Sequence, residues 1–202
     1  VVSFGFEAVR LPALGLRDGV PPNLRTVVAV PTLLTTADAI RAQIERLEIH
    51  YLSSPDDNLH FAMLSDWVDS SVEHVTGDNA LLSVAAHGIS QLNIRHGVAD
   101  GGPRFLLLHR KRSWVESESH WIGWERKRGK LHELNRWLRG AEDTNFLAIE
   151  GVDPVAPSGV RYVLTLDADT RLPRETVLKL IGKMAHPLNR PLFDSQTTRV
   201  IE

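Results

Sequence analysis

Strand-length apolar runs and helix-length amphipathic stretches alternate four times along this sequence. TVVAVPTLL (26–34) is a β-branched run stopped by Pro31, and in the following TTADAIRAQIERLEIHYL, Ala37, Ile40, Ile44, Leu47 and Tyr51 recur at helical spacing. Thr35 or Thr36 stands where that helix needs an N-cap, and Ser-Ser-Pro closes it. NLHFAMLSDW (58–67) is the second run; the helix after it sets Leu81, Ala85, Ile89 and Leu92 on one face, between a capping Asp78 and a terminating Gly97. RFLLLHR (104–110) is the third, followed by WERKRGKLHELNRWLRG with Leu131, Leu134 and Leu138 on one side. GVRYVLTLD (159–167) is the fourth, and PRETVLKLIGKMAHP completes the series, with Pro173 near its first turn and Pro187 past its last.

Apolar strands joined through helices predict an α/β fold, Rossmann-like, with a mostly parallel sheet and helices on both faces. We place this domain at residues 26–202 and read the Pro- and Gly-rich residues 1–25 as an irregular lead-in. Functional groups in such sheets gather beyond the carboxyl ends of the strands. Pro31-Thr32, Asp66, Arg110 to Arg112 and Asp167 with Asp169 all stand at strand ends and are expected to converge.

Composition removes several function classes. The chain has no cysteine, which excludes a disulfide scaffold and a zinc-thiolate site. Its 9 histidines show no HxxxH or HExxH spacing, so a histidine-based metal centre is not expected. A formal net charge of -2 gives no general attraction to nucleic acid or to an acidic membrane. No apolar run is long enough to span a bilayer, so this segment itself requires no membrane contact. The missing initiating Met and the ending RVIE, which stops where a strand begins, suggest a piece of a longer chain, truncated at its C-terminus.

The fourth run breaks into Asp167-Ala168-Asp169. If strand geometry persists, both carboxylates point to one spot, and they repel unless a cation or a proton lies between them. A hard divalent ion bridging carboxylates to phosphate oxygens suits such a pair; a turn cap is the plainer use of the same residues. Residues 104–139 hold ten Lys and Arg against four acids, and Gly129 and Lys130 sit near a helix start, where free N–H groups favour an anion. Alone, RKRGK reads equally as a solvated basic face. In a nucleotide site Asp66, or Asp69 in its stead, would accept from a base N–H or a ribose hydroxyl, and Thr32 would approach the base with its backbone. Trp114, Trp121 and Trp124 follow strand three and are read as fastening their loop to the core.

LTLDADT also resembles the strand-end motif of haloacid-dehalogenase-type phosphatases, which would make Asp167 a nucleophile. That family needs later Ser/Thr, Lys and Asp elements for which little sequence remains. A non-catalytic structural or interaction module is a further alternative. An acid on strand two, a basic Gly-Lys helix start and Asp-x-Asp after strand four together match the layout of GT-A glycosyltransferases.

TVVAVPTLL, LHFAMLSDW, WERKRGKLHELNRWLRG, YVLTLDADTRLPRETVLKLIGKMAHPLNRPLFD and RVIE resemble the glycosyltransferase domain (family 84, related to family 2) of bacterial cyclic β-1,2-glucan synthases, from about Arg25 to Glu202. The resemblance implies a UDP-glucose donor, a growing β-1,2-glucan acceptor, and inverting transfer with Mn²⁺ or Mg²⁺ held by Asp167 and Asp169. It further implies nucleotide contacts from Asp66, Thr32, Lys127, Lys130 and Asn135. The parent enzymes of that family are large multi-pass proteins working on the cytoplasmic side of the bacterial inner membrane. The general base and acceptor motif of relatives fall after the Asp-x-Asp pair and are not found before Glu202, so the segment alone is expected to be inactive.

Overall fold

The computed structural model describes residues 11–152 and 154–201. β1 (Thr26–Leu34), β2 (Leu59–Trp67), β3 (Phe105–His109) and β6 (Tyr162–Thr165) form one parallel sheet in the order β3-β2-β1-β6. This is the predicted mixed α/β architecture with a Rossmann-like central sheet. The helices are α1 (Ala37–Ser53), α2 (Asp78–His96), α3 (Arg126–Trp137) and α4 (Thr176–Ala185).

Alternation along the strands builds two cores. Val28, Val30, Phe61, Met63, Phe105 and Leu107 point to one face, where α1, α2 and α4 bury Ile40, Ile44, Leu47, Ala85, Ile89, Leu92, Val177 and Ile181. Val27, Ala29, Ala62, Leu64, Leu106 and Leu108 point to the other face and meet Leu134 of α3. Each fully buried Leu, Ile or Phe contributes roughly 1.5–3 kcal/mol. Thr36 caps α1, its hydroxyl accepting from the Ala39 N–H at 3.2 Å.

Pro31 acts differently from the expectation. β1 runs straight through it to Leu34, paired with β2 along its whole length. On the β6 side, the Leu166 N–H donates to the Ala29 carbonyl at 3.0 Å, and the next rung would need an N–H from residue 31. Proline has none, so β6 stops at Thr165 rather than continuing to Asp167.

The lead-in residues 1–10 lie outside the described residues. After them the chain crosses α4, where the Leu14 N–H donates to the Gly182 carbonyl at 3.0 Å, and a single 3₁₀ turn (Pro22–Leu24) precedes β1. Two hairpins stand apart from the central sheet. β4 (Ser113–Val115) pairs with β5 (His120–Ile122), and β7 (Leu192–Asp194) with β8 (Arg199–Ile201). The terminal strand read from RVIE therefore pairs locally with β7. Among the described residues no helix is long and apolar enough to cross a membrane.

Candidate functional site

The carboxyl end of β2 delivers Asp66 into a buried ionic cluster. The Arg110 guanidinium donates through Nε to Asp66 Oδ1 at 2.8 Å and through Nη2 to Oδ2 at 2.9 Å. The Lys130 ammonium, 3% exposed, lies 2.9 Å from Oδ2 and donates to the Thr32 carbonyl at 2.8 Å. Glu133, one turn further along α3, faces Arg110 at 3.5 Å and accepts from the backbone and side-chain amides of Asn145 at 3.0 and 2.7 Å. Two cations and two anions thus balance. Burial pushes the Lys130 pKa down, and the Asp66 charge opposes that shift.

Arg110 extends the cluster to the chain entering α3, donating to the carbonyls of Trp124 and Arg126 at 3.1 Å each. Close approach is built into this corner: a Cβ on Gly123 would fall 2.5 Å from the Asp66 carboxylate, and one on Gly129 only 1.9 Å from the Trp124 carbonyl oxygen. Beneath it, His109 Nδ1 shares a 2.8 Å hydrogen bond with Ser65 Oγ, and burial lowers the imidazole pKa to about 3, so the ring is neutral.

Above the cluster opens a cavity of about 380 Å³. Pro31, Thr32 and Leu33 from β1, Asp66 and Trp67 from β2 with Val68 and Asp69 just after it, Gly123, and Arg126, Lys127 and Lys130 of α3 line it. At its edge the Lys127 ammonium is ion-paired with Asp167, and the Arg46 guanidinium donates to the Ala168 carbonyl at 2.8 Å. Asp167 and Asp169 are both exposed and lie beyond β6, with residues 168 and 169 in a turn. They do not continue the strand, so strand alternation does not set their directions. The cause is the missing rung at Pro31.

Of the strand-end residues expected to converge, Pro31, Thr32 and Asp66 line the cavity and Arg110 binds Asp66; Lys127 and Lys130 of α3 line it as well, and Asp167 is joined to them through Lys127. Asn135 is not among them: it borders a separate depression with Leu131, Leu138, Tyr162 and Thr165. Arg112 also turns away, binding Asp78 and the carbonyls of Val68 and Glu73. Gly129 offers no free N–H, because α3 begins at Arg126 and the Gly129 N–H is bonded to the Glu125 carbonyl at 3.0 Å. It is glycine because the Trp124 backbone leaves no room. Lys130 is a buried counter-ion, and both Asp66 oxygens are already engaged. Trp114 and Trp124 are exposed, against the expectation that these tryptophans fasten a loop inward.

Reading the sequence missed the roles of Arg110 and Glu133. The available signal was a charged residue adjoining an apolar run: Glu133 sits beside Leu134 on α3, and Arg110 directly follows FLLLH.

As to a metal, exposed carboxylates such as those of Asp167 and Asp169 are hard oxygen donors, the type that Mg²⁺ or Mn²⁺ takes one or two of together with waters and phosphate oxygens. Among the described residues no three or more His, Cys, Asp or Glu come together as a ready-made cage. Lys127 neutralises Asp167 in this structure.

A parallel four-stranded sheet, helices on both faces and a cavity at the strand ends define a Rossmann-like α/β domain. No protein-family model matches the chain. Over 192 residues, 95% of its length, it is 48% identical to the cyclic beta-(1,2)-glucan synthase NdvB of Rhizobium meliloti (strain 1021), and it spans 7% of that relative. The resemblance to cyclic β-1,2-glucan synthases is thus borne out at the level of sequence.

Proposed function

We propose that this chain forms the donor-binding part of a glycosyltransferase that builds cyclic β-1,2-glucan from UDP-glucose. The observation that carries the reading is the meeting of Lys127, at the start of α3, with Asp167, beyond β6, on the rim of the cavity that Thr32, Asp66 and Lys130 line. The 48% identity to a cyclic glucan synthase supports the same reading.

On this reading the uridine enters between the end of β1 and the Trp67–Asp69 segment, both of which line the cavity. Asp66 shapes the floor there, through the ions it holds. Asp167 and Asp169 would hold Mn²⁺ or Mg²⁺, which when bound supplies charge neutralisation to the departing diphosphate. Lys127 exchanges its partner Asp167 for a phosphate oxygen and adds a positive charge, with Arg126 beside it. Transfer inverts the anomeric carbon and needs a general base, which we do not assign to any residue of this chain. The parent works on the cytoplasmic side of the inner membrane, and the 202-residue chain alone binds nucleotide without polymerising glucose.

The test is calorimetric titration of UDP into the chain with and without Mn²⁺, repeated with Asp169→Ala. We expect binding only with the metal and a loss of about tenfold or more in the variant, the scale of removing one charge-assisted ligand. Metal-independent binding that ignores the substitution would overturn the reading.

A further inference from the structure

We infer that the β4–β5 hairpin and Trp124 form a carbohydrate-contact surface beside the cavity, taking the glucosyl units of a neutral β-linked glucan. This inference rests on the glucosyl-transfer reading of the neighbouring cavity.

Of the five tryptophans, Trp114 and Trp124 are 45% and 44% exposed. Single exposed apolar side chains are ordinary, but these two are held in place. The Trp114 ring stands edge-on to Trp121, with centroids 5.9 Å apart, and its Nε1–H donates to Glu116 Oε2 at 2.6 Å. Trp124 stands edge-on to His132 at 6.2 Å, and its carbonyl accepts from the buried Arg110. Rings already fixed lose little conformational entropy when something stacks on them.

The hairpin is fastened to the cavity wall. The Trp121 N–H donates to the Ser70 carbonyl at 2.8 Å, the Ser70 N–H returns to Trp121 at 3.0 Å, and Arg126 bridges Asp69 to Glu118. Asp69, Gly123 and Arg126 line the cavity, so the hairpin is tied to its wall and Trp124 follows a lining residue directly. Glu118 is paired with Arg126 through both oxygens, whereas Glu116 is bound to Trp114 through Oε2 and keeps Oε1 for a sugar hydroxyl. An indole face offers apolar contact to the C–H face of a pyranose, so a neutral polyhydroxylated ligand suits the pair.

The experiment titrates a short linear β-1,2-gluco-oligosaccharide into the 202-residue chain, without nucleotide or metal, following tryptophan fluorescence and heat. Trp114→Ala and Trp124→Ala are compared with the parent, their folding checked by circular dichroism. Saturable binding, about tenfold weaker in either variant, is expected, with metal-dependent UDP binding unchanged in Trp114→Ala. Sugar binding that both variants retain, or no sugar binding by the parent, would overturn the inference. So would self-association that the variants abolish while sugar leaves it unchanged, because the face would then dock protein. Should UDP fail to bind while sugar binding persists and depends on the tryptophans, this surface stands and the donor reading falls.

Discussion

Replacing Asp66 with asparagine keeps the shape of the buried cluster and removes its central negative charge. Arg110 and Lys130 would then face each other with only Glu133 in partial compensation, and three charge-assisted contacts of 2.8–2.9 Å would weaken together. Breaking a buried pair by removing one partner costs about 3–5 kcal/mol. For a chain of this size that lowers Tm by about 6–20 °C, at roughly 2–4 °C per kcal/mol. The sign of the pH dependence gives a second check. Lys130 has a folded-state pKa below its unfolded value, so its charge penalty is complete below the folded pKa and is relieved as pH rises toward about 10.4. Without Asp66 the attraction opposing that shift is gone, the pKa falls further, and the recovery of stability begins at lower pH. Urea unfolding of parent and Asp66→Asn near neutral pH, and again about two pH units higher, measures both effects. Adding Lys130→Met should restore part of the loss. A change under about 1 kcal/mol with parallel pH profiles would refute the counter-ion role; intact stability with lost UDP binding would make Asp66 a direct nucleotide ligand.

Gly129→Ala places a Cβ 1.9 Å from the Trp124 carbonyl oxygen, which is backbone and yields little; a loss of about 1–3 kcal/mol in urea unfolding is expected. His109 is held neutral by burial with a pKa of about 3, whereas in the unfolded chain it takes up a proton near pH 6.5. Stability should therefore fall as pH drops from about 6.5 toward 3, and His109→Gln should flatten that fall in a series of urea midpoints.

Element order was legible because apolar periodicity dominates it. Val27 to Val30 and Phe61 to Leu64 alternate between two cores, as their pattern requires, and the bounds of β1 agree with the sequence reading. The Thr36 cap and the Gly97 stop were equally local and equally readable. What escaped depended on contacts between elements far apart in sequence. Lys130 looked like an anion ligand because nothing beside it in sequence reveals that Asp66 and the Thr32 carbonyl enclose it. Gly129 looked like part of an anion site because its steric reason, the Trp124 carbonyl, appears only once the turn into α3 is built. Asn135 was carried over by resemblance, and its helix turns it toward β6 rather than the cavity.

The proline in β1 has a consequence for the acidic turn. Past Leu166 no sheet rung positions the main chain, and the turn is instead moored by Arg46 to the Ala168 carbonyl and by Lys127 to Asp167, both through exposed side chains. Ala168 and Leu172 pack against the core beneath the turn, so salt screens only the part of its placement that the two exposed cations supply. A cation binding at the two carboxylates would not have to unzip any β structure to draw them together.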